Sequence, residues 1–491
     1  MTDLARLDAI AQADLVRRGE VTPLELVDAA IERIEAVNGT LNAVVTPLYD
    51  AAREAARGPL PAGPLAGVPF LVKDLGSSMA GIPETMGSRA LRDHRPAADN
   101  ALVGRYRAAG LLILGRTNTP EFGNHSTTEP ALFGPTRNPW DPALTPGGSS
   151  GGSAVAVASG MVPVAHGGDG AGSLRIPASC CGVFGLKPTR GRVSMAPGGD
   201  EVWALNVRHA ISRSVRDSAA LLDIEAGRVP GDPYPAAPPA RPFLDEVGRD
   251  PGRLRIGWTA TPSLEVPVDA DCVDAVRTAA ELLASLGHEV EEASPSFDGE
   301  VLVGPLGAVW ALGNLADTAY AERLLGRPLG AEELELTTWE LVEHARALAP
   351  LDVLDAIGAL GAAARAVAPF FETYDAWLTP TLARRPEPLG VLNRSHGGAL
   401  AWQRSDCSFN PWNPIANITG HPAMSLPLHW TADGIPIGVL VTGRHGDEAT
   451  LFRLAGQLEA ARPWAGRLPP IHASADRSEP ASGATTATAD G

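Results

Sequence analysis

Glycine and serine are most concentrated between residues 146 and 182 of this 491-residue chain. Glycine accepts backbone conformations and close approaches that other residues do not, so such a segment forms tight turns around regular elements. Residues 154–158 predict a short helix of small side chains, and residues 161–166 predict a strand that leads into a loop at 167–172. A loop of this kind presents a row of backbone N–H groups, and we expect a functional site there.

Short apolar runs alternate with helical patterns along the rest of the chain, which predicts the α/β class. The expected architecture is a central mixed, mostly parallel β-sheet covered by helices on both faces. Thr22, Pro23 and Glu25 form a capping-box pattern, and Asp447 predicts a second helix start. Further helices are predicted at 101–109 and 273–286, and strands at 65–72, 111–114, 254–258, 289–290, 377–378 and 436–441.

Charge and cysteine content limit the partners and the compartment. The formal net charge of −17, without a run of lysine or arginine, disfavours nucleic-acid and membrane partners. Four cysteines, of which only Cys180 and Cys181 are neighbours, form neither a disulfide framework nor a metal-ligand spacing. With no secretory signal pattern at the start, we expect a cytoplasmic protein that needs no metal or other cofactor and acts on a small molecule. The sequence leaves a homodimer open.

Lys73 follows directly after the apolar run at 65–72. A serine hydroxyl is a poor nucleophile at neutral pH and needs a base, and lysine can be that base when burial leaves its amine neutral. Ser173 follows the glycine-rich loop and is the candidate nucleophile. The predicted oxyanion hole consists of the backbone N–H groups of Gly170, Ala171, Gly172 and Ser173.

Three segments resemble the amidase signature family in their order and spacing. They are GVPFLVKD at 67–74, GGSSGGS at 147–153 and GGDGAGSLRIP at 167–177. The resemblance implies a catalytic triad with Lys73 as base, Ser149 as bridging serine after a cis peptide bond, and Ser173 as nucleophile.

The resemblance also implies the amidase signature fold and the reaction. A serine hydrolase of this family cleaves amide-type C–N bonds through an acyl-enzyme. Within the family the chain is most similar to amidases that act on 6-aminohexanoate oligomers, the nylon-type lactams, and to amidases that cleave carbamates. Asp169 and Arg175 are expected to form an ion pair that fixes the loop without taking part in the chemistry.

The resemblance covers nearly all residues before the tail, except a less recognisable stretch at about 227–371, and implies one domain over residues 1–472. Its core motifs lie at about 65–190, and a mainly helical stretch at about 302–371 is expected to build most of the substrate pocket. Residues 473–491 are polar and of low complexity, which predicts a disordered tail.

Three other functions fit parts of the sequence. Residues 147–151 also match the GxSxG nucleophile elbow, which would make the chain an α/β-hydrolase-type esterase with Ser149 as nucleophile. An amidotransferase subunit that supplies ammonia to a partner has the same fold, but such subunits usually carry Arg-Gln-Pro where this chain has Arg175, Ile176 and Pro177. The third is a binding protein without catalytic activity.

Overall fold

A large mixed sheet forms the centre of the molecule. The computed structural model describes residues 4–198, 204–394 and 397–474. Within these residues, 11 strands form one sheet in the order β1-β3-β2-β4-β6-β5-β10-β11-β9-β7-β8. The strands are β1 (Val44–Pro47), β2 (Pro69–Lys73), β3 (Leu112–Thr117), β4 (Val164–Asp169), β5 (Phe184–Lys187), β6 (Val207–Ser212), β7 (Arg255–Trp258), β8 (Glu289–Glu292), β9 (Ala376–Pro380), β10 (Ala423–Trp430) and β11 (Pro436–Gly443).

Helices cover both faces of the sheet. Phe70 and Val72 of β2 join one apolar cluster and Leu71 joins another, because successive side chains of a strand point to opposite faces. The helices are α1 (Ala9–Arg17), α2 (Pro23–Leu41), α3 (Tyr49–Arg57), α4 (Ala101–Ala108), α5 (Gly151–Ala158), α6 (Arg175–Cys181), α7 (Val215–Glu225), α8 (Ala270–Ser285), α9 (Gly304–Leu325), α10 (Leu336–Ala347), α11 (Pro350–Val367), α12 (Phe370–Thr373), α13 (Ala399–Phe409), α14 (Asn413–Thr419) and α15 (Glu448–Ala461).

Each face has its own set of helices. Buried residues of α1, α4, α7, α8 and α15 pack in the first cluster, while those of α2, α3, α5 and α6 pack in the second. A third cluster joins α9, α11 and α14 to β9, β10 and β11 on the side of the second. The α/β class and the mixed sheet with helices on both faces are therefore confirmed.

The expectation that parallel pairs predominate is wrong. Among the ten strand pairings of the described residues, β2 pairs in parallel with β3 and β4, and β7 with β8 and β9, while the other six pairings are antiparallel. Five of those six involve β1, β5, β6 or β10, for which the sequence analysis predicts no strand. Without these four strands, the prediction lacked most of the antiparallel ladders of the sheet.

The strand before the glycine-rich loop also differs from its prediction. It spans Val164–Asp169, so it starts later than residue 161 and includes two glycines that were expected in a loop. The ladder to β6 pairs Gly167 with His209 and Gly168 with Arg208, which holds the glycines in an extended conformation. Glycine inside a strand often marks a place where another group approaches the backbone closely, and both glycines do so here.

Helix starts follow the predicted capping signals. The Thr22 hydroxyl accepts a hydrogen bond from the backbone N–H of Glu25, and the Glu25 carboxylate accepts one from the N–H of Thr22. Asp447 accepts a hydrogen bond from the N–H of Thr450 at the start of α15. Both predicted caps are confirmed.

The predicted helical stretch at 302–371 is present as α9 to α12. Its segments Gly299–Leu325 and Pro350–Thr373 are long and apolar enough to cross a membrane by length and composition only. Core helices of soluble proteins meet the same criteria, so these two segments are weak evidence for a membrane span. The tail predicted from residue 473 lies outside the described residues from 475 onward.

We predict that Gly152→Ala destabilises the protein because α5 starts directly against neighbouring backbone. A Cβ at Gly152 would lie 2.5 Å from the backbone nitrogen of Asn118 and 2.8 Å from the carbonyl oxygen of Ala43. Overpacking of this kind typically lowers the free energy of unfolding by about 1–3 kcal/mol. The matched control is Gly104→Ala in α4, where a Cβ meets nothing within 4 Å, so helix propensity should make the change neutral or stabilising by up to about 1 kcal/mol. Urea denaturation followed by circular dichroism measures both variants, and equal losses would contradict the packing argument.

Candidate active site

Lys73 ends the buried strand β2, and its side chain is enclosed by the protein with only 1% exposed. Its Nζ lies 2.6 Å from the hydroxyl oxygen of Ser149 and 3.1 Å from that of Ser150. Among the described residues no carboxylate lies within ion-pair distance of Nζ. Burial lowers the pKa of Lys73 well below its usual value, the guanidinium of Arg208 lowers it further, and Asp169 acts in the opposite direction. The amine is therefore held in conditions that favour its neutral form.

Ser149 is placed by a tightly enclosed turn before α5. The peptide bond between Gly148 and Ser149 is cis, as the resemblance implies. A Cβ at Gly148 would collide with the carbonyl oxygens of Thr127 and His125, so only glycine fits at that position. Ser149 is 2% exposed and faces the same cavity as Lys73.

Ser173 lies in the turn between β4 and α6 and is 8% exposed. It lines the cavity that Lys73 and Ser149 also line. Its carbonyl oxygen accepts a hydrogen bond from the N–H of Ser150, which joins this turn to the start of α5. In the described structure no hydrogen bond joins the hydroxyls of Ser173 and Ser149. Catalytic hydrogen bonds often tighten only when substrate is bound, so the lack of a direct bond between these two hydroxyls is compatible with a proton relay.

A buried ion pair holds the loop before Ser173. Arg175 donates to both carboxylate oxygens of Asp169, at 2.9 Å and 2.8 Å, and both side chains are fully buried. Asn417 of α14 donates to the same carboxylate at 3.0 Å and accepts from Arg175 at 2.6 Å. Although burial alone would raise the pKa of Asp169, Arg175 and these other partners lower it to about 2. Asp169 is thus ionised at neutral pH and acts as a fixed acceptor for the loop.

The same carboxylate changes the predicted set of oxyanion donors. The N–H of Gly172 donates to Asp169 at 2.7 Å, so the prediction that Gly172 faces an oxyanion is wrong for this structure. The N–H groups of Gly170, Ala171 and Ser173 have no partner among the described residues and stay in the candidate set. The carbonyl of Ala171 accepts from Asn410 at 2.7 Å, which fixes the orientation of that peptide unit.

Lys73, Ser149 and Ser173 face a cavity of about 210 Å³. Part of its wall comes from the predicted helical stretch, but only α9 of that stretch lines it. The α9 residues at the wall are Val309, Trp310, Gly313, Asn314, Ala316 and Asp317. The remaining wall comes from residues near the ends of β2, β4 and β6, from Met86, from residues 122–124 after β3 and from Ser149. The helical stretch therefore contributes less of the pocket than the sequence suggested.

Comparison with known proteins agrees with this geometry. A model of the amidase family matches residues 25–452. The chain belongs to the amidase signature family. It is 40% identical to the 6-aminohexanoate-cyclic-dimer hydrolase of Paenarthrobacter ureafaciens over 482 residues, which cover 94% of this chain and 96% of that protein.

Solved structures give the same result. A 6-aminohexanoate cyclic dimer hydrolase complexed with substrate has a TM-score of 0.91 at 39% identity, covering 96% of this chain and 100% of that one. A bacterial aryl acylamidase of the amidase signature family has a TM-score of 0.86 at 28% identity, covering 94% and 98%. The amidase described here is therefore a hydrolase that cleaves amide bonds.

Sequence reasoning missed several residues of the amidase site. Ser150 contacts Lys73, and Arg208, Asn206 and Trp310 line the cavity. Arg208 is 7% exposed on β6, a strand that the sequence analysis did not predict. No local pattern marks Asn206 or Trp310, since their place in the cavity depends on how distant segments pack.

A serine-histidine-glutamate series also exists in the amidase, away from the cavity. The ring of His209 contacts the Glu225 carboxylate through Nδ1 and lies 2.7 Å from the Ser218 hydroxyl through Nε2. Tyr106 donates to the same carboxylate at 2.6 Å. All four side chains are fully buried and none of them lines the cavity, so this series supports the packing of β6, α4 and α7.

We predict that Arg175→Ala strongly destabilises the amidase. Removing one partner of a buried ion pair leaves the Asp169 carboxylate buried without its main counter-charge, which typically costs about 3–5 kcal/mol in the free energy of unfolding. The matched control is Arg277→Ala, which removes an exposed ion pair with Asp274 and should change stability little. Urea denaturation measures both variants, and a small effect of Arg175→Ala would contradict the role of the pair in holding the loop.

Proposed function

We propose that this amidase cleaves its substrate through an acyl-enzyme, with Ser173 as nucleophile, Ser149 as proton relay and Lys73 as base. The observation that carries the proposal is the 2.6 Å contact between Lys73 Nζ and Ser149 Oγ, in the same cavity as Ser173. A base that is neutral at working pH can accept a proton, and the burial of Lys73, with no carboxylate partner among the described residues, favours that state.

Each step of the proposed reaction has a proton donor and an acceptor. Ser173 Oγ attacks the carbonyl carbon while its proton passes to Ser149 Oγ, and the Ser149 proton passes to Lys73 Nζ. The N–H groups of Gly170, Ala171 and Ser173 are the candidate donors to the oxyanion. The relay then returns a proton to the leaving nitrogen, the C–N bond breaks, and water attacks the acyl-enzyme by the same route to release the acid.

We propose 6-aminohexanoate-type amides, cyclic or linear, as the substrate class. The proposal rests on the 40% identity to a 6-aminohexanoate-cyclic-dimer hydrolase and on a cavity wall rich in apolar side chains such as Val309, Leu205 and Phe122. Carbamates are the second candidate because their hydrolysis breaks a C–N bond at the same kind of carbonyl carbon.

The esterase alternative receives less support from the site. It requires a histidine as base for Ser149, but the partner of Ser149 is Lys73. The amidotransferase alternative is disfavoured by Ile176 in the position where such subunits usually carry glutamine.

The proposed setting is the cytoplasm, with no nucleic-acid or membrane partner. Cys180, Cys181, Cys272 and Cys407 are all free and buried, which suits a reducing compartment. The net charge of −17 supports the absence of polyanionic partners.

We predict that Ser173→Ala loses hydrolysis of every substrate by a factor on the order of 10⁴ or more, because the acyl-enzyme can no longer form. A panel of the cyclic and linear 6-aminohexanoate dimers, an aryl amide and an aryl carbamate, run on wild type and variant, measures both the loss and the preference. The control variant is Ser285→Ala, an exposed serine at the end of α8. Activity retained by Ser173→Ala would refute the triad, and a preference for the carbamate would replace the proposed substrate class.

We predict that kcat/KM rises with pH along one ascending limb. Lys73 acts as base only when neutral, its neutral fraction grows with pH, and its lowered pKa places the midpoint below the usual 10.5. Asp74 and Asp406, with pKa values raised by burial to about 6, could give a limb of the same sign. Temperature separates the two origins, because amine ionisation has a large enthalpy and carboxyl ionisation a small one. The midpoint should fall on warming, and a flat profile or a temperature-independent midpoint would argue against lysine.

A further inference from the structure

Arg208 lines the same cavity as Lys73 but has no role in the proposed mechanism. It lies on β6 directly opposite Gly168 of β4, and its side chain reaches the cavity lined by the triad. A Cβ at Gly168 or at Gly76 would collide with the guanidinium nitrogens of Arg208. The two glycines therefore leave the space that the guanidinium fills.

Both glycines belong to backbone segments that hold Lys73. Gly76 lies three residues after the lysine, in the turn that follows β2. Gly168 donates its N–H to Ser150 Oγ at 3.2 Å and accepts from the same hydroxyl at 3.1 Å. Ser150 Oγ in turn lies 3.1 Å from Lys73 Nζ. Arg208 therefore packs against Gly168, the residue whose backbone binds the Ser150 hydroxyl.

The direct partners of Lys73 Nζ are two hydroxyls, which carry no charge. Asp169 is the carboxylate that acts most on Lys73, but Arg175 binds both of its oxygens. Arg208, which has interactions of its own, therefore places a positive charge against the segments that hold Lys73, while the carboxylate that acts most on the amine already has a counter-charge.

The other titratable groups around Lys73 do not provide a free negative charge. On β4, His166 accepts the backbone N–H of Lys73 at 3.3 Å, and its pKa is lowered well below the usual value by burial and then by Arg208. Asp74, the next residue of the chain, lies 3.7 Å from Arg116 of β3. From α9, Asp317 lines the cavity and has interactions of its own.

We propose that Arg208 is a positioning residue that keeps Lys73 in its uncharged, proton-accepting form. The inference rests on the proposed function because it concerns Lys73 as base. In a buried site two positive charges close together repel strongly, so a fixed guanidinium opposes protonation of the amine. Arginine suits this position because it stays protonated at every working pH and its planar group fits against backbone.

The test compares pH profiles of kcat/KM for wild type, Arg208→Met and Arg208→Lys. Loss of the positive charge in Arg208→Met should make Lys73 easier to protonate and move the midpoint of the ascending limb upward by about one pH unit or more. Above the new midpoint its activity should recover toward that of wild type. Arg208→Lys retains a positive charge and should keep the midpoint near the wild-type value. Arg208→Gln gives the same comparison if circular dichroism shows that the methionine variant does not fold.

The matched control is Arg404→Met, which removes one exposed positive charge of α13 that pairs with Glu300. It should leave the midpoint unchanged, which separates a local effect from a change in net charge. An unchanged midpoint in Arg208→Met, with only kcat or KM altered, would overturn the proposal and assign Arg208 to substrate binding or packing. Activity retained by Ser173→Ala would instead overturn the proposed mechanism, and with it this assignment, so the two failures are distinguishable.

Discussion

The site depends on the burial of Lys73, which has no carboxylate partner in the part of the chain that the structure describes. A charged amine in such surroundings would be strongly disfavoured, so the protein must supply partners that suit a neutral one. The hydroxyls of Ser149 and Ser150 are such partners, since each can both donate and accept. The enclosing strand, the turn at Gly148 and the start of α5 are all arranged around this contact.

Close backbone packing explains why the surrounding segments contain so many glycines. Gly167 and Gly168 of β4 leave room for Ser150 and Arg208, while Gly152 lets α5 approach the ends of β1 and β3. Larger residues at these points would separate the elements that carry Lys73, Ser149 and Ser173. The geometry of the proposed triad therefore depends on the absence of side chains at these glycines as much as on the three triad side chains themselves.

Local patterns predicted the parts of the fold that depend on short segments. The capping box at Thr22 and the strand that ends at Lys73 could be read from a few adjacent residues, and the structure has both. The strands β1, β5 and β10 were missed because each contains a proline or a glycine, and β6 was missed because the polar residues Arg208 and His209 interrupt its apolar pattern. Arg208 illustrates the consequence: its place beside Gly168 follows from β6 pairing with β4, a long-range contact that the neighbouring sequence does not encode.

The proposed catalytic residues and much of the cavity wall come from different parts of the chain, which explains why the reaction is easier to infer than the substrate. Lys73, Ser149 and Ser173 lie in compact motifs, and in the described structure no α9 side chain forms a hydrogen bond with them. Helix α9 contributes Val309 and Trp310 to the wall, so its sequence can change the shape of the cavity while the triad keeps its contacts. A 6-aminohexanoate cyclic dimer hydrolase is 39% identical to this chain and an aryl acylamidase is 28% identical to it. The two enzymes can therefore share this fold and still act on different amides.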